Sequence, residues 1–285
     1  MDRQIRFPDG ETVPAIGQGT WFLGDHKEKA AQEKEALIAG VEAGMTLIDT
    51  AEMYGEGRAE RLVGQAVREL DRASLFLVSK VYPHNAGRER IFKSCAASLE
   101  RMGTTYLDLY LLHWRGPIPL EETIACMEEL KKRGLIRRWG VSNFDTDDMQ
   151  ELWDLPGGKN CATNQVLYHI ASRGIEYSLL PWLGAERHIP VMGYCPLAQG
   201  GGLHRGLYSS VTLNKIAANH DATVAQILLA FAVRGENVVA IPRSGQKQHA
   251  LSNAAAGGIT LTEEELLLID REFPAPKRKT ALDIV

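Results

Sequence analysis

The sequence predicts a (β/α)₈ barrel, and three observations carry that prediction. Short apolar runs alternate with amphipathic stretches along nearly the whole chain, giving eight strands each followed by a helix; such alternation implies a parallel sheet, and eight units allow it to close. The chain has 285 residues, 45% of them hydrophobic, which permits a large core, and α/β barrels reach this length as one domain spanning 1–285. An open doubly wound sheet that bound a dinucleotide would carry G-x-G-x-x-G after its first strand, whereas here Gly17-Gln-Gly19 runs on into Thr20-Trp21-Phe22.

The elements follow in order. Extended stretches at 3–7 and 11–15 flank the turn Pro8-Asp9-Gly10, so the chain opens with a β-hairpin. Barrel strands are read at 16–21, 46–49, 75–80, 107–113, 136–141, 162–166, 191–194 and 238–241. Helices are read at 29–43, 58–70, 87–101, 120–133, 145–153, 176–187, in two pieces within 211–234, and at 246–255. A further helix near 262–271 makes one or two extra helices near the C-terminus. Gly44 and Gly134 stand where helix C-caps belong, and Thr262 with Glu265 has capping-box spacing. The tail after Phe273 reads as irregular chain crossing the surface.

Composition removes several classes of function. A net charge of −4 gives no reason to expect a nucleic-acid partner. No apolar run approaches the roughly 20 residues of a membrane span, and the polar start is unlike a signal peptide. Cys95, Cys126, Cys161 and Cys195 are scattered without a C-x-x-C pair, which suits reduced, mostly buried thiols in a cytoplasmic protein. The histidines lack metal-ligand spacing, so no metal site is expected.

Chemistry emerges at the C-terminal ends of the strands, where barrel enzymes build their sites. The second strand ends in Asp49, the third in Lys80 and the fourth in His113, with Tyr54 soon after Asp49. Singly, each has an ordinary reading: an ion pair closing the barrel, a structural histidine, a loop tyrosine. Together at one rim of otherwise apolar strands, they point to a reactive site.

At these positions the sequence resembles the aldo-keto reductases, most closely the small bacterial members that reduce methylglyoxal and related dicarbonyls. The resemblance runs nearly end to end. It rests on Gly19-Thr-Trp21, Ile48-Asp-Thr-Ala-Glu-Met-Tyr-Gly55, Val78-Ser-Lys80, Tyr106-Leu-Asp-Leu-Tyr-Leu-Leu-His113, Trp139-Gly-Val-Ser-Asn143, Thr163-Asn-Gln165, Tyr194-Cys-Pro-Leu197 and Ile241-Pro-Arg-Ser244, in order along the strand ends. It implies NADPH-dependent reduction of small aldehydes, dicarbonyls or ketones by a tetrad of Asp49, Tyr54, Lys80 and His113. The residue types suit that chemistry, because a carbonyl must receive hydride at carbon and a proton at oxygen. Tyr54 would give the proton, and the Lys80 ammonium would lower its pKa toward neutrality. Asp49 would pair with Lys80, and a neutral His113 would donate a hydrogen bond to the carbonyl oxygen.

The resemblance also implies a cofactor cradle. Ser142, Asn143 and Gln165 would bind the nicotinamide carboxamide, with Tyr194 stacked on its ring. The run Cys195-Pro-Leu-Ala-Gln-Gly-Gly-Gly202, with Pro196, Leu197, Gln199 and Gly200 in contact, would cross the pyrophosphate. Gly19, Thr20, Trp21, Ile241 and Pro242 complete the cradle. Arg243 and Ser244 would grip the 2′-phosphate, since a guanidinium bonds phosphate in two places. The phosphate-binding stretch departs from the common pattern: His249 and Ser252 precede Asn253 where many relatives carry arginine and glutamate, weakening the expected margin of NADPH over NADH. Trp21, Tyr82 and Trp114 would wall a narrow substrate pocket. The implied protein is a monomer whose partner is a small carbonyl compound.

Two other readings compete. One is an NADPH-binding barrel with a redox-sensing or regulatory role and little turnover. The other is a barrel lyase, aldolase or isomerase in which Lys80 forms a Schiff base; it leaves Gln165, Tyr194 and Arg243 without roles.

Overall fold

The structure, a computed structural model, describes residues 3–185, 187–198 and 206–285. An antiparallel hairpin, β1 (Gln4–Arg6) with β2 (Thr12–Pro14), pairs Ile5 with Val13. Eight parallel strands follow: β3 (Gln18–Gly19), β4 (Leu47–Asp49), β5 (Phe76–Val81), β6 (Leu107–Leu112), β7 (Ile136–Ser142), β8 (Asn164–Leu167), β9 (Val191–Tyr194) and β10 (Val238–Ala240). They are hydrogen-bonded in chain order, and the seam closes where Ile16 bridges Ala240 and Gly19 bridges Arg243.

The first barrel strand is shorter than the 16–21 expected from sequence. Its residues serve two neighbours, β4 on one side and the 240–243 segment on the other, before Thr20 starts a turn closed by Leu23 N–H on the Thr20 carbonyl at 2.9 Å. At this seam Gly19 N–H donates to the Pro242 carbonyl at 3.0 Å, and a Cβ on Gly19 would lie 2.7 Å from the Ile241 carbonyl oxygen. Glycine is therefore required there by barrel closure.

The outer layer comprises α1 (Ala30–Glu42), α2 (Arg58–Val67), α3 (Ile91–Met102), α4 (Leu120–Lys132), α5 (Thr146–Asp154) and α6 (Leu179–Gly184). Beyond the undescribed stretch come α7 (Val211–Asn219), α8 (Val224–Ala232), α9 (Lys247–Ala255) and α10 (Glu263–Glu272). The Gly44 and Gly134 caps take left-handed φ values of 100° and 74°, and Thr262 with Glu265 forms the expected capping box before α10. The helix read at 176–187 starts later, at Leu179 of α6, because a separate 3₁₀ turn occupies Gly174–Glu176. The two extra helices are α7, inserted between β9 and β10, and α10. They pack together, with His220 facing Glu265 at 2.9 Å, over a satellite core that includes Leu213, Ile216 and Ile269.

The main core lies in and around the barrel. The hairpin covers the N-terminal strand ends, where Phe7 stacks on Phe76 at 5.1 Å. Nearly buried Arg138 of β7 holds the hairpin through Asp9 at 2.6 Å and Glu11 at 3.2 Å. One barrel end is thus packed and pinned, and the C-terminal end is left open for a site. Among the described residues no helix is long and apolar enough to cross a membrane.

Candidate active site

Parallel registry sets the site. Pairing of Gly19 with Asp49, Asp49 with Val78, Lys80 with Leu111 and Ser142 with Gln165 brings these positions to one rim. A cavity of about 530 Å³ opens there, lined by Asp49, Tyr54, His113 and Trp114 on one side and by Ser142, Asn143, Gln165, Tyr194 and Arg243 on the other.

Lys80 is fully buried beneath this cavity and does not line it. Its ammonium donates to Asp49 Oδ2 at 2.7 Å, to the Thr50 carbonyl at 2.9 Å and to the Tyr54 hydroxyl oxygen at 3.0 Å. An ammonium has three N–H groups, so all are used. The other Asp49 oxygen, Oδ1, accepts from Gln165 Nε2 at 2.7 Å. Burial pushes the Asp49 carboxyl up and the Lys80 ammonium down, and each opposes the other's shift through their mutual attraction.

Tyr54 corrects the sequence expectation of a lowered pKa. Its phenol is held well above 10, first by burial and then by the negative charge of Asp49. Sequence reasoning weighed Lys80 alone, whereas Asp49 at 2.7 Å offsets the ammonium and burial penalises the phenolate. Tyr54 is consequently a protonated phenol at neutral pH. Because its oxygen accepts from Lys80, its own O–H is left to point elsewhere.

His113 is neutral, as expected: burial and the Lys80 charge pull its pKa down to about 2. Its ring stands edge-on to Tyr54 with centroids 5.7 Å apart, and its Nδ1 is buried with no hydrogen-bond partner among the described residues. A bare acceptor in the interior costs less than an orphaned N–H, so the ring proton belongs on Nε2.

Across the cavity, Ser142 Oγ donates to the Gln165 carbonyl at 2.8 Å, and Asn143 Nδ2 to the His113 carbonyl at 3.2 Å. Asn143 takes a left-handed φ of 60°, a conformation asparagine tolerates better than most residues, and its Oδ1 accepts from the Tyr194 hydroxyl at 2.8 Å. Arg243 is exposed at the cavity's far side and makes no ion pair with a described residue. These contacts join the ends of β6, β7, β8 and β9 into one polar surface.

Residues 15–272 match the model of the aldo/keto reductase family. The chain belongs to that family. It is 53% identical, over the full length of both chains, to "Methylglyoxal reductase YeaE" of Escherichia coli (strain K12). It is 33% identical to "Methylglyoxal reductase DkgB" of Salmonella typhimurium, over 89% of this chain and 91% of that one. Among solved structures, an aldo-keto reductase from Klebsiella pneumoniae in complex with NADPH superposes with a TM-score of 0.97 at 53% identity, all of both chains being covered.

Several of the reductase's residues lie where the sequence reading did not put them. Tyr82 is not among the described residues lining the cavity; it stands behind Trp114, edge to face at 6.0 Å. Glu52 fixes that loop by accepting from Tyr82 N–H at 2.7 Å and Asn85 Nδ2 at 3.1 Å. Gly19, Thr20, Trp21 and Ile241 do line the cavity, whereas Pro196 and Pro242 are buried beside it and Leu197 packs on the core. Ser244 bonds Gln246 at the start of α9, and His249 and Asn253 lie farther along that helix, away from the cavity lining. Gln199 and Gly200 lie outside the described residues. Met53, Arg115, Ile284 and Val285 also line the cavity and were missed, and Cys195, read only as the start of the pyrophosphate loop, lines it too. Met53 and Arg115 adjoin recognised residues, but nothing local signals that the tail returns. The tail is tied down by Lys279 to Asp147 at 3.0 Å and by Asp283 to Ser172.

Proposed function

We propose that this chain reduces small aldehydes and α-dicarbonyls such as methylglyoxal to alcohols with NADPH, Tyr54 acting as proton donor. The saturated Lys80 ammonium carries the reading: with all three N–H groups used internally, the Tyr54 O–H is free for a carbonyl oxygen in the cavity. His113 Nε2–H orients that oxygen, and both donors strengthen as negative charge develops on it. The oxygen becomes alkoxide-like, far more basic than phenolate, so it takes the proton even from a phenol of raised pKa. Lys80 then stabilises the negative charge left on the Tyr54 oxygen, while Asp49 and Gln165 hold Lys80 in place. NADPH, when bound, supplies the hydride to the carbonyl carbon.

The residues present fit that cofactor. Ser142, Asn143 and Gln165 offer donors and acceptors for a carboxamide beside the flat ring of Tyr194. Arg243 has no acidic partner among the described residues, and α9 begins with neither a side-chain cap nor an acid in its first turn, which suits a phosphate nearby. Arg243→Ala should therefore weaken NADPH roughly ten- to a hundredfold, the loss typical of a charge-assisted contact, and NADH far less. Fluorescence titration with both cofactors checks this; equal losses would remove Arg243 from the 2′-phosphate.

Names of the relatives support the substrate class: methylglyoxal reductases from E. coli and Salmonella. The Schiff-base reading is disfavoured because Lys80 does not reach the cavity. We also propose a single-domain cytoplasmic monomer: the whole tetrad comes from one chain, and the four cysteines are buried free thiols, as a reducing compartment would keep them. The deciding experiment is a carbonyl panel of methylglyoxal, phenylglyoxal, an aliphatic aldehyde, glucose and a ketosteroid, followed by NADPH absorbance with NADH in parallel. The dicarbonyls should give the highest kcat/KM. No turnover of any carbonyl would favour the regulatory reading, and a ketosteroid or glucose in first place would overturn the substrate class alone.

A further inference from the structure

Phe22 occupies a position that its residue type should avoid. It sits third in the turn Thr20–Leu23, closed by Leu23 N–H on the Thr20 carbonyl at 2.9 Å, with a left-handed φ of 65°. Turns of this kind place glycine there, because an L side chain meets its own backbone. Burial does not compensate, since Phe22 is 52% exposed. What the ring does make is a stack on Trp21, centroids 4.5 Å apart and planes 21° from parallel. Trp21 in turn lines the cavity, its ring 6.5 Å from that of Tyr54. Phe22 itself is not among the lining residues, so any effect on the site passes through the indole.

We infer that Phe22 is a positioning residue that holds the Trp21 indole as a flat wall beside the reacting carbonyl, favouring substrates with an aromatic substituent there, arylglyoxals above all. An unsupported indole on a turn would sample several rotamers and pay ordering entropy each time a ring packed on it. A pre-stacked indole avoids that cost, and its edge and face remain available to a second ring. A methyl substituent has too little surface to gain much from the same wall. The inference rests on the carbonyl-reductase reading above.

The test compares Phe22→Ala, Phe22→Gly and Phe22→Tyr in steady-state reduction of phenylglyoxal and methylglyoxal with NADPH. Loss of an aromatic contact corresponds to about two- to tenfold. The Ala and Gly variants should both raise KM for phenylglyoxal by about that factor, with a smaller change for methylglyoxal and little change in kcat, and Phe22→Tyr should restore the wild-type ratio. Their stabilities should diverge, Phe22→Gly melting above Phe22→Ala, because glycine accepts the left-handed backbone and alanine does not. An equal kinetic defect at unequal stability separates positioning from mere folding. A phenylglyoxal to methylglyoxal ratio that stays at the wild-type value, or that follows the melting temperature, overturns the inference. If the wild type reduces neither dicarbonyl, the functional reading fails and this inference with it; wild-type turnover with an unchanged ratio sinks this inference alone.

Discussion

Tyr54→Phe should abolish carbonyl reduction while leaving NADPH affinity nearly unchanged. The substitution removes one oxygen and its proton and keeps the ring that packs against His113 and Trp21. General acids contribute a factor on the order of 100 to 10,000, so kcat should fall by at least the lower figure. Neither His113 nor Lys80 is placed to take over the proton transfer. His113 is neutral with its pKa near 2, and Lys80 lies below the cavity with its three donors engaged. The variant should retain most of its stability, although Lys80 loses one acceptor, worth about 1 kcal/mol for an ordinary hydrogen bond and somewhat more for a charged donor. Single-turnover reduction of methylglyoxal and fluorescence titration of NADPH measure the two quantities separately. A variant retaining more than about a tenth of wild-type kcat would take the role of proton donor away from Tyr54.

The barrel was legible because its signal is repetitive. Eight apolar runs separated by helical spacing leave few topologies, and β9, flanked by Ile189-Pro190 and Cys195-Pro196, falls at the residues read from sequence. The tetrad was legible for a related reason, since strand ends in a closed parallel barrel must converge. Less visible was anything set by contacts distant in sequence. Burial of the Tyr54 phenol depends on elements from several parts of the barrel, so a pairwise argument from Lys80 gave the wrong direction for its pKa. The returning tail depends on Lys279 finding Asp147 and Asp283 finding Ser172, which no periodicity announces. Tyr82 shows the converse error. Its position after a strand end suggested the pocket, but Glu52 anchors its backbone so that Trp114 stands in front.

Lys80→Met should impair both catalysis and stability, and the two losses can be separated. Methionine fills a similar volume but offers no N–H to the Tyr54 oxygen, which then gives up its proton without a cation beside it. Removing a donor aimed at developing charge typically costs about 100- to 1,000-fold in kcat. Asp49, 2% exposed, would keep only Gln165 as a side-chain partner among the described residues. Breaking a buried ion pair from one side costs about 3–5 kcal/mol, which for a chain of this size lowers Tm on the order of 10 °C. The pH dependence has a definite sign. Burial already raises the Asp49 pKa above 3.8, and without Lys80 it rises further. A carboxyl with a raised folded pKa favours the native state below its unfolded pKa and loses that contribution as pH climbs through the folded value. The Tm gap between wild type and Lys80→Met should therefore be narrow at acidic pH and widen toward neutrality. Adding Asp49→Asn removes the unpaired charge, so the double variant should recover much of the lost Tm. It should recover none of the lost kcat, because the Tyr54 oxygen still lacks its cation. Calorimetry across pH and steady-state kinetics on the three proteins make the comparison; recovery of kcat in the double variant would reduce Lys80 to a structural counter-ion for Asp49.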